Sequence, residues 1–187
     1  MMVKNTTLGI LHPGAMGITV AASAQNSGCD VFWVSEGRRA QSIERANSEQ
    51  LKDAGTLDEL VRICEVIVCV CPPHAAEDVA LKVAASGFTG LYIDGNAISP
   101  ERVAAAGRTI TGSGGSFVDG GIIGGPAIKP DSTWLYLSGP EAERAAACFS
   151  EGPLEPCVMA GDIGKASALK MSLDDCRHSR MPTTFRR

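Results

Sequence analysis

Residues 8–24 read LGILHPGAMGITVAASA, and the order of residue types within them decides the fold. A short apolar run over 7–11 has the aliphatic side chains of a buried strand. A Pro-Gly turn follows, and then an Ala-rich stretch over 15–27 with the composition of a helix. Strand, glycine turn and helix, in that order, give glycine spacing its meaning. Gly14 lets backbone approach a pyrophosphate, Gly17 lets the helix lie close on the strand, and the helix N-terminus offers unpaired N–H groups to the anion. Pro13, Ala15 and Met16 fill the rest of that loop. His12 stands where the first glycine of the G-x-G-x-x-G pattern would be, so the tight turn is made with a side chain present. Its imidazole either bonds a phosphate or ribose or is merely hydrated.

Outward from this turn, apolar runs alternate with stretches of helical length. Strands are expected over 7–11, 30–34, 66–71, 91–94, 116–119, 134–137 and 157–159. Helices are expected over 15–27, 38–47, 57–63, 75–85, 100–106 and 141–149. Parallel neighbours need a crossover helix between them, so the alternation predicts an α/β fold: a Rossmann-type, doubly wound, mostly parallel sheet. The Gly-rich region 112–125 reads as a loop-linked strand edge. From Met171 on the amphipathic period is lost and Pro182 intervenes, which predicts a frayed basic tail.

At the end of the second strand a dinucleotide fold places an acid on the ribose 2′-hydroxyl. Val34 occupies that position, followed by Ser35, Glu36, Gly37, Arg38 and Arg39. Ser35, Arg38 and Arg39 offer a hydroxyl and two guanidiniums where a 2′-phosphate would lie, which favours NADP over NAD. Glu36 is close enough to serve instead as the ribose acid, and both arginines also suit a solvated first helical turn.

With 187 residues, 44% of them hydrophobic, and a net charge of −4, the chain has no electrostatic reason to bind nucleic acid. Of its seven cysteines, Cys64, Cys69 and Cys71 sit in or beside the run VIVCVC and no Cys-x-x-Cys pair occurs. They read as small buried apolar residues, and no metal is expected. Cys148 and Cys157 have no nearby histidine to make a thiol nucleophile. His74 could face a nicotinamide, but it is expected to cap the next helix or face solvent. The N-terminus develops no signal-peptide core and no run is long enough to span a bilayer, which points to a cytoplasmic protein with no membrane partner.

Several further segments carry a family resemblance across roughly residues 7–171. VIVCVCPPHAA resembles the third-strand loop of the β-hydroxyacid dehydrogenase and 6-phosphogluconate dehydrogenase superfamily, which implies that Cys71, Pro72 and Pro73 lie beside the cofactor. IDGNAISP resembles that family's D-x-S-T segment, FVDGGIIGGPA its D-A-P-V-S-G-G, and GKASALK its G-x-G-x-x-x-K. The resemblance implies a small-molecule hydroxy, carbonyl or imine substrate, as in 3-hydroxyisobutyrate dehydrogenase-like members. Lys170 matches the lysine that exchanges a proton with the substrate oxygen, Asn96 matches a position implied to be both catalytic and substrate-binding, and Gly124 and Gly125 match substrate-binding positions. On the residue alone, Lys170 better suits an ordinary helix surface, and it is the spacing from Gly164 that favours the family's lysine position.

The chain departs from the family pattern at Asn96 and at Ile123, where serines are usual, and in the missing Asn pair after the lysine. An amide at Asn96 still donates and accepts hydrogen bonds. Family members continue into an all-helical domain that completes the substrate cleft and supplies most of a homodimer interface. The expected organisation is an NAD(P)-binding Rossmann domain over 1–164, then the start of an interdomain helix and an irregular basic tail over 165–187, with that helical domain missing. The functional readings are accordingly an NADP-dependent oxidoreductase, an NADP-binding module without turnover, or a non-enzymatic interaction protein.

Overall fold

The computed structural model describes residues 5–96 and 98–179, of which 174–179 by backbone only. The VIVC of β4 (Val66–Cys69) and the LYID of β5 (Leu91–Asp94) are buried at every position, as strands covered on both faces must be. Side chains alternate across a strand with period two. Val66, Val68, Leu91 and Ile93 therefore join one apolar layer, and Ile67, Cys69 and Tyr92 join the other.

Around them the sheet has eight strands in the order β3-β2-β1-β4-β5-β6-β7-β8. β1 (Thr7–Ile10), β2 (Asp30–Trp33) and β3 (Lys52–Asp53) form one side, and β6 (Ser116–Gly124), β7 (Thr133–Ser138) and β8 (Leu154–Val158) extend the other. All pairs are parallel except β6 with β7. One face is covered by α1 (Ala15–Asn26) and α6 (Ala142–Ala147), through Val20, Ala21, Ala24 and Ala145. The opposite face is covered by α3 (Leu57–Ile63), α4 (Ala76–Ala85) and α5 (Pro100–Gly112), through Leu60, Ala80, Val83, Val103 and Ile110. Trp33, Phe88, Tyr92 and Phe149 are the largest fully buried side chains, and burial of each phenylalanine stabilises the fold by about 1.5–3 kcal/mol relative to exposure. The remaining helices are α2 (Ala40–Ser48) and α7 (Lys165–Ser179). The α/β, mostly parallel architecture read from the sequence is the one observed.

The differences from the sequence reading have local causes. β3 was not anticipated, because two exposed polar residues at a sheet edge carry no apolar signal. The Gly-rich region is no edge: β6 runs through it to Gly124, between β5 and β7. Its glycines mark close approach. A Cβ on Gly120 would meet Asp94 O at 2.8 Å, and one on Gly121 would meet Ala166 O at 2.8 Å. α5 continues past residue 106 because Gly107 packs under the Phe117 ring rather than ending the helix. β8 starts earlier than expected and includes Pro156, which an edge strand tolerates. α7 passes Met171 and continues to Ser179, so the irregular tail does not begin at 171. The expectation for 180–187 lies outside the described residues. Among the described residues no helix is long and apolar enough to cross a membrane.

Candidate functional site

β1 lies between β2 and β4, so the loops leaving β1 and β4 diverge to opposite sides of the sheet and open a crevice between them. Leu11 N–H donates to Val68 O at 3.1 Å, and Gly14 N–H then donates to His12 O at 2.8 Å. The second bond closes a three-residue γ-turn around Pro13, whose ring already holds φ near the value that turn needs. A glycine at position 12 is therefore unnecessary, which is how His12 is accommodated. Gly17 has no such freedom, since a Cβ there would sit 2.1 Å from His12 O. Gly14 faces open space and has extended backbone, φ −74° and ψ −171°. It is the N-cap of α1 and brings no side chain to satisfy the first helical amides. Those N–H groups are left for an anion at the helix's positive end.

Beside this turn a cleft of about 280 Å³ is lined by Leu11, His12, Val34, Glu36, Gly37, Arg38, Leu57, Val79 and Lys82. A larger hollow of about 370 Å³, among Thr6, Cys29, Glu65 and Cys148, lies at the opposite ends of the strands, away from the phosphate turn. The two arginines separate here. Arg38 is half-buried in the cleft wall, its Nε donates to Val34 O at 3.4 Å, and burial pushes its pKa down. Arg39 is an exposed N-cap residue of α2 that does not line the cleft. Ser35 accepts from Arg38 N–H through its carbonyl, at 3.1 Å. Glu36 also lines the cleft. Lys82, on α4, was missed by sequence reasoning: it lies far from the ribose segment in the chain, and a lone helix lysine gives no signal.

Past β4 the chain turns at Cys71, Pro72 and Pro73, where a 3₁₀ turn carries an exposed His74. Asn96 is 2% exposed, and its amide is committed to this turn. Its Oδ1 accepts from Cys71 N–H at 2.6 Å, and its Nδ2 donates to Cys69 Sγ at 3.5 Å. Its own N–H donates to Asp94 Oδ1 at 2.9 Å. Burial raises the Asp94 carboxyl to about 6, against the Asn96 bonds that lower it. The Cys71 thiol donates to Pro72 O at 3.4 Å and lies within 4.8 Å of the Cys69 thiol. The neighbouring thiol and burial push the Cys69 pKa well above the usual thiol value, and the same neighbour lowers that of Cys71.

The third component is α7. Asp119, fully buried in β6, accepts at Oδ2 from Gly164 N–H at 2.9 Å and Ser167 N–H at 3.0 Å, and at Oδ1 from the Ser167 hydroxyl at 2.6 Å. The Ser138 hydroxyl donates to Asp119 Oδ2 at 3.1 Å and accepts from Ala166 N–H at 3.1 Å. A buried carboxylate thus caps α7 where the helix dipole is positive. The anchored helix delivers Lys170, half-buried, with its Nζ donating to Ile122 O at 2.6 Å. Lys170 therefore sits where β6 runs on through Ile123 to Gly124 and Gly125. Both glycines are exposed, and the Gly125 carbonyl accepts from the Thr133 hydroxyl at 2.8 Å. The loop beyond them returns to the phosphate helix, Ala127 N–H donating to Thr19 Oγ1 at 3.0 Å. Neither the Asp119 cap nor this tie was foreseen, because each joins residues distant in the chain.

Comparison with known proteins bears on these features. The sequence profile of the NAD binding domain of 6-phosphogluconate dehydrogenase matches residues 7–149. The cytokine-like nuclear factor N-PAC of Xenopus tropicalis is 26% identical over 190 residues, covering 94% of this chain and 34% of that protein. The conserved protein MTH1747 of unknown function, described as structurally similar to 3-hydroxyacid dehydrogenases, superposes with a TM-score of 0.79 at 28% identity, covering 91% of this chain and 64% of that one. A reductive aminase from Aspergillus terreus in complex with NADPH and ethyl levulinate shares the fold, with a TM-score of 0.77 at 16% identity, covering 94% and 62%. The chain thus spans about a third of its curated relative and less than two thirds of these solved structures. The profile match covers most of the chain, and the Gly14–Gly17 turn, the uncapped α1 and the flanking cleft suit a dinucleotide. The chain belongs to the family of the NAD binding domain of 6-phosphogluconate dehydrogenase.

Proposed function

We propose that this chain is the nucleotide-binding part of a cytoplasmic, NADP-dependent oxidoreductase acting on a small hydroxy, carbonyl or imine substrate. The observation that carries NADP over NAD is Arg38, drawn into the cleft beside Val34, with Lys82 on the same wall. An apolar Val34 leaves the ribose hydroxyl without an acid at the usual place, and two cations favour a 2′-phosphate. On this reading Gly14 and the α1 amides hold the pyrophosphate, with His12, Pro13, Ala15 and Met16 shaping the loop. Cys71, Pro72 and Pro73 flank the nicotinamide side. The cofactor supplies or accepts the hydride.

Lys170 exchanges the proton at the substrate oxygen or nitrogen, from its position at Ile122 O. The backbone of Gly124 and Gly125 lines the substrate, and Asn96 acts from below, holding the β4 turn in place. Residues 1–164 form the nucleotide unit, and the chain from 165 on begins the helix leading to the part that closes over substrate. A second reading, dinucleotide retention without turnover, is favoured by Asn96: it is buried, with its amide oxygen held by Cys71 N–H and its amide nitrogen by Cys69 Sγ.

The test is a fluorescence titration of the chain with NADPH and NADH in parallel. Tighter binding of NADPH, reduced about 10- to 100-fold in Arg38→Ala while NADH is unaffected, supports the proposal. Equal affinity for both, indifferent to Arg38, removes the NADP assignment. Oxidation of NADPH by small carbonyls or imines, lost in Lys170→Met, separates the first reading from the second.

A further inference from the structure

The β4 turn brings together a set of donors that dinucleotide binding does not require. An imidazole nitrogen of His12 and the Sγ atoms of Cys69 and Cys71 all lie within 4.8 Å of one another. The register explains the meeting. Ile10 pairs with Val68 and Leu11 N–H continues the ladder, so the turn after β1 lies against the end of β4. Cys69 and Cys71, two residues apart on an extended segment, project to one side. His12 Nδ1 is shut off from solvent with no hydrogen-bond partner of regular geometry among the described residues, and the His12 side chain already interacts with the Cys69 thiol, favouring its thiolate. Asn96 supports the sulfurs from behind, bonding Cys69 Sγ through Nδ2 and fixing the Cys71 backbone through Oδ1.

We infer that His12, Cys69 and Cys71 form a binding site for one borderline-soft divalent cation of the Zn²⁺ class. One imidazole nitrogen and two sulfurs suit such an ion and do not suit Mg²⁺ or Ca²⁺, which take oxygen. Tetrahedral bonds of about 2.0 Å to nitrogen and about 2.3 Å to sulfur need the donors to close to roughly 3.5–3.8 Å of one another. His12 and Cys71 are only partly buried, so their side-chain torsions supply that closure without moving the sheet. Three protein ligands leave a fourth position, and of the three His12 borders the cleft. Water or an anionic ligand completes the shell there. Cation binding displaces the two thiol protons to solvent, so affinity falls as pH falls. Asn96 is the outer-shell partner that such ligands commonly need, which gives this substitution in the family motif a chemical reason. The site does not depend on the dinucleotide reading.

The experiment titrates the chain, kept reduced with a phosphine and free of nucleotide, with Zn²⁺ by calorimetry and with Co²⁺ by absorption. One equivalent of Co²⁺ giving a thiolate charge-transfer band and tetrahedral d–d bands is expected. Cys71→Ser and His12→Gln should each weaken Zn²⁺ by at least about tenfold, and Asn96→Ala by about 10- to 100-fold. Cys29→Ser and Cys157→Ser should leave binding unchanged. X-ray absorption on the unmodified Zn²⁺ complex should show two sulfur scatterers and one imidazole, a readout independent of whether any variant folds. No stoichiometric binding, a shell without two sulfurs, or binding that survives Cys71→Ser and His12→Gln in folded protein would overturn the inference.

Discussion

Asp94 is the residue at which burial and charge are most openly opposed. Its Oδ1 accepts from Asn96 N–H, while its Oδ2 is buried without a hydrogen-bond partner. Desolvation raises the carboxyl from an ordinary 3.8 to about 6. A raised folded-state pKa means that the folded chain holds this proton more tightly than the unfolded one. The contribution to stability is complete below about pH 4 and is lost as pH rises through about 6. Asp94→Asn keeps the Oδ1 acceptor and removes the ionisation. It should match the parent near pH 4 and exceed it by about 1–3 kcal/mol near pH 8, measured by urea unfolding at both values. A variant less stable at both would show that Asp94 ionises at little cost. At the same scale, the sequence distinguished Arg38 from Arg39 only in position, and packing separates them: one lines the cleft and the other stands exposed at the N-cap position of α2, its side chain making no cap bond.

Among the elements, α7 takes most of its N-terminal hydrogen bonds from a single side chain, Asp119. Asp119 joins β6 to the first turn of α7 through Gly164 and Ser167, and Ser138 of β7 completes the cluster. Asp119→Asn replaces an acceptor oxygen by a donor facing other donors, and should cost about 1–3 kcal/mol. Amide hydrogen exchange should locate the loss in α7, with faster exchange there than in β4 or β5. Uniform acceleration across the sheet would mean that Asp119 supports the whole core instead. Gly121→Ala should produce the same localised pattern by a steric route, because its Cβ would meet the Ala166 carbonyl of that helix. Neither device was legible beforehand. The segment FVDGGIIGG displayed its family resemblance, but that Asp119 reaches across to a helix some forty-five residues later follows only from the antiparallel return of β7. The short strands and their helices were legible because covering a sheet on both faces leaves unbroken apolar runs, as at Val66–Cys69 and Leu91–Asp94.

At the scale of the molecule, both apolar layers share one sheet, so the nucleotide cleft and the α7 anchor rest on the same core. Unfolding followed by heat should be one transition, and NADPH at 100 times its dissociation constant should add about 2.7 kcal/mol to it. Two separate transitions, with only one moved by NADPH, would show that the halves of the sheet melt apart. At the seam between those halves, where β1 passes from β2 to β4, tolerance to sequence change runs one way. A side chain is admitted where the chain enters the turn, at His12, and barred where it leaves, because Gly17 lies against the carbonyl of His12 itself. Gly14 between them has room for a substituent and backbone that any residue adopts. Genetic drift through these six positions is thus filtered twice: a saturation library sorted for folding closes at 17 and stays open at 12 and 14, and the same library sorted for nucleotide retention closes at 14 as well.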